Sequence, residues 1–150
     1  MLVVILVTCL LVLLSVGVHY NALILYSLTL QKRRVNLRRW VAASILGLLL
    51  AHVIEVSLFA IGYLLLVRFG DYGQLIGSTD ELTQDYWYYS FVAYTSLGFG
   101  DIVPTHSLRL MTALETLTGL ILIAWSASFL IMQMERFWDP EEDGISRRLR

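Results

Sequence analysis

Thr95-Ser96-Leu97-Gly98-Phe99-Gly100-Asp101 sets two glycines within three positions and carries no helix signal. Glycine reaches backbone angles that a Cβ bars to other residues, so this stretch is predicted to be irregular backbone with a defined shape. The segment before it, 78–94, reads STDELTQDYWYYSFVAY. Ser78, Thr79 and Asp80 are capping types, acids fill the next turn and aromatic residues fill the remainder, which predicts a short helix at about 80–94. Its carboxyl end leads straight into 95–101.

Three apolar stretches surround this unit, at roughly 2–30, 41–67 and 108–137. Each meets the roughly 20 residues that a bilayer-crossing helix needs. The roughly 40 residues between the second and third are too short and too polar for two more crossings, so they are predicted to dip in and return on the same side. The composition agrees: 57% hydrophobic and 15% charged residues, with a mean hydropathy of +0.69, fit a chain whose main solvent is lipid. The net charge of −1 gives no support to a nucleic-acid partner. MLVVILVTCLLVLL lacks a basic residue before its apolar run and a small-residue cleavage site, so it reads as a retained helix rather than a leader. Cys9, the single cysteine, reads as a small packing residue and forms no disulfide within the chain.

Charge placement predicts the orientation. Lys32, Arg33, Arg34, Arg38 and Arg39 crowd the first connection, and Arg136, Arg147, Arg148 and Arg150 follow the last span. The middle connection opens with Arg68 and then carries Asp71, Asp80, Glu81, Asp85 and Asp101. Basic residues mark the cytoplasmic side, which puts the amino terminus and the middle connection outside and the carboxyl terminus in the cytoplasm. The basic run also suits lipid headgroups. Glu135, at the end of the last span, and Glu141, Glu142 and Asp143 of the short polar tail, 138–150, interleave with arginines, and the tail is read as solvated.

Irregular backbone at membrane depth is tolerated only when buried in protein or lining water. A chemistry that uses it is cation coordination: a dehydrated monovalent ion needs several oxygen ligands, and carbonyls facing a common axis from several copies supply them. The short helix adds the partial negative charge of its carboxyl end.

TSLGFGD resembles the TVGYGD-type signature of the potassium channel superfamily, and helix, loop and helix in this order resemble its pore domain over roughly 40–137. Asp101 and Pro104 follow the motif as in many members, and bacterial members with three spans and one pore loop are the nearest likeness. The resemblance implies an all-α membrane protein assembled as a homotetramer. Residues 1–30 form an accessory transmembrane helix, 31–40 a basic cytoplasmic connection and 41–137 the pore domain. Within that domain 41–67 is the outer helix, about 80–94 the pore helix, 95–101 the filter and 108–137 the inner helix. It also implies a potassium-selective channel in a bacterial inner membrane, with K+ as permeant ion, lipid as surroundings, and neither a cofactor nor a small-molecule substrate.

Carried onto this sequence, the resemblance assigns K+ sites to the carbonyls of Ser96, Leu97, Gly98 and Phe99, with Thr95 and the Ser96 hydroxyl at the inner end and Gly100 and Asp101 at the outer mouth. The departures are Ser96 for threonine, Leu97 for valine or isoleucine and Phe99 for tyrosine. Phe99 removes a phenolic hydrogen bond that braces such filters, and Ser96 lacks a methyl that stiffens its rotamer. Trp87, Tyr88 and Tyr89 read either as a cuff behind the filter or as interfacial anchors. Glu115 reads as a brace to the pore helix or as a locally paired carboxyl. Gly119 reads as a hinge or as a close-packing position. Ile121, Ala124, Ser128 and Met132 read as cavity-lining or as core.

His52 and Glu55, three apart on one helix, read as a structural pair or a proton sensor. His19 and Asn21 read as inter-helix hydrogen-bond partners, and His106 as an exposed loop histidine or an external pH sensor. Three histidines scattered at 19, 52 and 106 do not make a metal-ligand cluster, no hydrolytic triad stands out, and a transporter would show repeated broken halves. A nonselective monovalent cation channel on the same fold and an accessory subunit of a heteromeric channel remain as rivals. No arginine-spaced voltage sensor is present.

Overall fold

The computed structural model describes residues 1–32, 37–77 and 83–138. Arg33, Arg34, the capping residues Ser78, Thr79 and Asp80, Glu81, and the tail residues Glu141, Glu142, Asp143, Arg147, Arg148 and Arg150 lie outside them. Four helices, α1 (Leu2–Lys32), α2 (Leu37–Phe69), α3 (Thr83–Tyr94) and α4 (Leu108–Trp138), follow in order, with two-residue strands β1 (Leu75–Ile76) and β2 (Val103–Pro104) on either side of α3. Stretches Leu2–Leu28, Arg39–Phe69 and Leu108–Glu135 are long and apolar enough to span a membrane. The 12 residues of α3 rise only about 18 Å at 1.5 Å each, short of a hydrocarbon core of about 30 Å.

β1 and β2 pair antiparallel, Leu75 opposite Pro104 and Ile76 opposite Val103. Around them the Thr105 amide donates to the Gln74 carbonyl at 2.9 Å and the Ser107 amide to the Tyr72 carbonyl at 3.1 Å. The chain therefore leaves α2 and rejoins α4 at one place, with α3 and the glycine segment between the two strands. The sequence reading contained no strands. They are short because their task is to fasten the two ends of that connection.

α1 packs along α2 and α4, and α3 lies between α2 and α4. Phe59 and Tyr63 of α2, Leu108 and Met111 of α4, and Val4 and Leu11 of α1 meet in one buried cluster beside Tyr89 of α3. A smaller cluster, Leu23, Leu48 and Phe129, closes the opposite end of the three long helices. Two sequence expectations are corrected. Asn21 donates to the Gly17 carbonyl of its own helix at 2.7 Å, because its side chain lies on the exposed face of α1 and reaches no neighbour. Cys9 is likewise exposed rather than packed, since it lies on the side of α1 turned away from α2 and α4.

Gly119 explains how closely α3 and α4 approach. A Cβ built there would fall 2.1 Å from the Tyr94 carbonyl oxygen and 3.0 Å from the Tyr94 ring. α4 runs without interruption through this position, so in this conformation the glycine acts as a contact rather than a bend. Because the obstacle is backbone, no rotamer change relieves it. Gly119→Ala is expected to destabilise the folded assembly by about 1–3 kcal/mol through overpacking, outweighing a helix-propensity gain of up to about 1 kcal/mol; thermal denaturation in detergent, followed by tryptophan fluorescence, measures it.

Candidate functional site

α3 ends in a hydrogen-bonded cap. The Ser96 amide donates to the Ala93 carbonyl and the Leu97 amide to the Val92 carbonyl, both at 3.0 Å, with Ser96 left-handed at φ 56°. This is the paired bonding of a Schellman motif, with serine where glycine usually stands. Beyond it φ is positive again at Gly98 (59°) and Gly100 (78°). Left-handed backbone therefore recurs at every second residue from Ser96 to Gly100. The expectation that glycines permit the alternation omitted Ser96, whose left-handed turn is imposed by the helix cap. Thr95 caps as well, its hydroxyl donating to the Phe91 carbonyl at 2.7 Å. Leu97 and Phe99 between the left-handed positions are bare, 57% and 66% exposed.

Polar side chains tether α3 on both flanks. Toward α2, the Trp87 indole N–H donates to Ser57 Oγ at 3.2 Å, and Ser90 Oγ lies 2.9 Å from the Val56 carbonyl. Toward α4, the Tyr89 and Thr112 hydroxyls are 2.7 Å apart, and the Thr116 hydroxyl donates to the Ala93 carbonyl at 2.9 Å. Glu115, fully buried, ties the layers together: it accepts from Tyr63 of α2 at 2.6 Å and from Ser90 of α3. Tyr63 also stands 3.0 Å from Thr112 and edge-on to Tyr89, ring centres 5.1 Å apart. Trp87, Tyr88 and Tyr89 thus each hold a different neighbour.

Tyr88 donates to Asp101 Oδ2 at 2.7 Å across the mouth of the loop. That bond holds the Asp101 carboxyl below its ordinary aspartate value and raises the Tyr88 phenol. Ile121, Ala124, Ser128 and Met132 occupy one exposed face of α4, so none belongs to this chain's own core. His106 is exposed, with φ 47°.

A second polar cluster joins three helices to the end of α3. Glu55 takes His19 of α1 on Oε1 at 3.0 Å and His52 of its own helix on Oε2 at 3.0 Å, and Tyr94 donates to it as well. The expectation that the scattered histidines form no metal-ligand cluster is corrected for two of them, since the fold brings His19 and His52 together on Glu55; Tyr94, Ser126, Tyr63, Ser90 and Thr112 were not expected at the site. A signal for Thr112 was present: Thr112, Glu115, Thr116 and Gly119 recur at one-turn spacing and mark a polar, small-residue face of α4 turned to α3.

Residues 51–136 match a family model described as "Ion channel". No curated protein matches the chain, and no solved structure does.

Two measurements probe the tethers. Glu115→Ala is expected to strand the Tyr63 and Ser90 hydroxyls at a cost of about 1–3 kcal/mol per lost partner, whereas Glu115→Gln retains an acceptor oxygen and loses less than half as much in the same thermal assay. At the mouth, an aspartate whose value is lowered on folding contributes stability above its ordinary value, and that stability is lost as pH falls through the lowered one. Tyr88→Phe removes the donor, so carboxyl NMR of Asp101 is expected to show its titration moving up in pH.

Proposed function

The chain belongs to the ion channel family and carries a potassium channel superfamily pore domain; on that footing we propose that it is one subunit of a homotetrameric, potassium-selective channel. It is a multi-pass membrane protein. The single observation that carries the reading is the alternation of left-handed backbone at Ser96, Gly98 and Gly100. It lies in a segment with two bare apolar side chains, at the carboxyl end of a helix fastened on both sides. Such backbone turns successive carbonyls the same way, which is the arrangement a row of cation sites requires. In this reading the carbonyls of Ser96, Leu97, Gly98 and Phe99 ligate K+, the Ser96 hydroxyl closes the inner end and Asp101 shapes the outer mouth.

One chain supplies one strand, and a dehydrated K+ needs oxygen from about four, so closed fourfold symmetry completes each site. The exposure of Leu97 and Phe99, and of the α4 face bearing Ile121 and Met132, supports an axis shared with other copies. Ile121, Ala124, Ser128 and Met132 then line the inner cavity. The 77–102 loop dips into the membrane from outside, the amino terminus lies outside and the carboxyl terminus lies in the cytoplasm of a bacterial inner membrane. K+ is cargo, and the mechanism calls for no cofactor, small-molecule substrate or nucleic acid.

Conduction follows from these parts. The carboxyl ends of four α3 helices lower the energy of a cation below the filter. The carbonyl rows replace its hydration shell, and neighbouring ions repel one another forward. Purified protein in a planar bilayer with K+ on one side and Na+ on the other is expected to reverse near the potassium equilibrium potential. Robust current reversing near zero would instead make the protein a nonselective cation channel, pointing to Ser96 and Phe99. Gly98→Ala, strained at φ 59° by about 1–2 kcal/mol per subunit, is expected to abolish selective current.

A further inference from the structure

We propose that His19, His52 and Glu55 bind a divalent transition metal of the zinc class, with the Tyr94 oxygen as fourth ligand, clamping α1 and α2 to the end of the pore helix. His19 and Glu55 are fully buried and the His52 side chain is 17% exposed. One ligand atom from each of the three lies within 4.8 Å of the others. The Tyr94 oxygen is 3.0 Å from His52 Nδ1 and hydrogen-bonds Glu55 Oε2. Zinc bonds of about 2.0–2.1 Å in tetrahedral geometry set ligand atoms about 3.3 Å apart, so no pair among the three has to close by more than about 1.5 Å.

The convergence of both Nδ1 atoms on one buried carboxylate carries the proposal. Both imidazoles turn Nδ1 toward the carboxylate and Nε2 toward one hydroxyl, Ser126 Oγ, at 3.1 Å for His52 and 3.3 Å for His19. With both rings neutral and protonated on Nδ1, both Nε2 atoms need a donor, and Ser126 has a single proton to give. One ring is then left lone pair against lone pair, which either an extra proton on one imidazole or a metal on the Nδ1 side relieves. With the metal, each ring carries its proton on Nε2 and both donate to the two lone pairs of Ser126 Oγ. A ligating histidine normally makes this kind of outer hydrogen bond.

The ligand types select the ion. Two imidazoles with two oxygens suit Zn2+ and its spectroscopic substitute Co2+, whereas Mg2+ and Ca2+ favour all-oxygen sites. Binding releases the Tyr94 proton to water, and the dication with one carboxylate and one phenolate is neutral, which matters inside a membrane. His52 and Ser126 also line a largely apolar cavity of about 420 Å³ between α2, α3 and α4. Tyr94 immediately precedes Thr95, so a filled site would fix the accessory helix to the base of the filter.

The test uses the full chain purified in detergent and stripped with EDTA. Titration with Co2+ is expected to reach one ion per chain with visible d–d bands of a four-coordinate centre, to be reversed by Zn2+, and Zn2+ is expected to raise the melting temperature by several degrees. His19→Gln, which removes a ligand while keeping a donor toward Glu55, is expected to weaken Zn2+ binding by more than the roughly tenfold to hundredfold loss typical of an outer partner, while His106→Ala leaves the stoichiometry unchanged. If His19→Gln fails to assemble, the unmodified protein decides by its Co2+ spectrum. Absence of d–d bands with melting indifferent to Zn2+ would overturn the proposal and leave an extra proton on one imidazole as the resolution of the proton count. Binding lost with His106→Ala would overturn it as well. None of these readouts uses ionic current, so a nonselective pore leaves the outcome intact.

Discussion

Backbone that leaves helical geometry inside an apolar bundle must have its polar groups met by protein or water, and the architecture around α3 answers that requirement. The cap at Ser96 and Leu97 absorbs the last carbonyls of the helix, and Thr116 takes the Ala93 carbonyl from the side. What remains uncovered is the run from Leu97 to Gly100, which is the part that gains from being bare if ions are to replace water there. Glu115 makes this economical: one buried carboxyl joins Tyr63 of α2 and Ser90 of α3 to α4. A short helix with few apolar contacts of its own is thus held by hydrogen bonds that lipid cannot compete for.

The closing of the loop is the complementary constraint. Without the β1–β2 pairing and the Gln74–Thr105 bonds, the aromatic helix and the glycine segment would hang from two long flexible arms. Fastening the arms together limits the loop to motions of the whole unit. The Tyr88–Asp101 bond then ties the outer end of the glycine segment back to the helix that feeds it.

Much of this was legible in the sequence because the signals were local. Three apolar runs, an aromatic stretch of helix length and two glycines in a row of seven lead directly to spans, short helix and irregular loop. The partners were not legible, since Tyr63, Ser90 and Thr112 look like ordinary polar residues until the fold brings three helices together. Asn21 and Cys9 failed for the same reason: an apolar run with little amphipathic bias does not show which face turns inward. Ser96 failed differently, because its left-handed angle is a property of the helix cap and serine carries no mark of it. The four α4 positions read as core or cavity are left exposed by α1, α2 and α3, which removes them from this chain's own core and which an apolar helix run does not reveal.

The first helix, which lies outside the two-helix pore, makes its clearest polar contact through His19. That contact reaches Glu55, then Tyr94, the final residue of α3. On the other side Ser126 links the same histidines to α4. A helix needed only to add apolar surface would have no reason to bury an imidazole against a carboxylate, because an unpaired polar group in that setting costs free energy that leucine would not. The polar chain from α1 to the base of the glycine segment is therefore a mechanical connection. Displacing α1 would have to break hydrogen bonds that also position Tyr94, and Tyr94 is held from behind by its contact with Gly119. The first helix and the start of the glycine segment are coupled through shared partners.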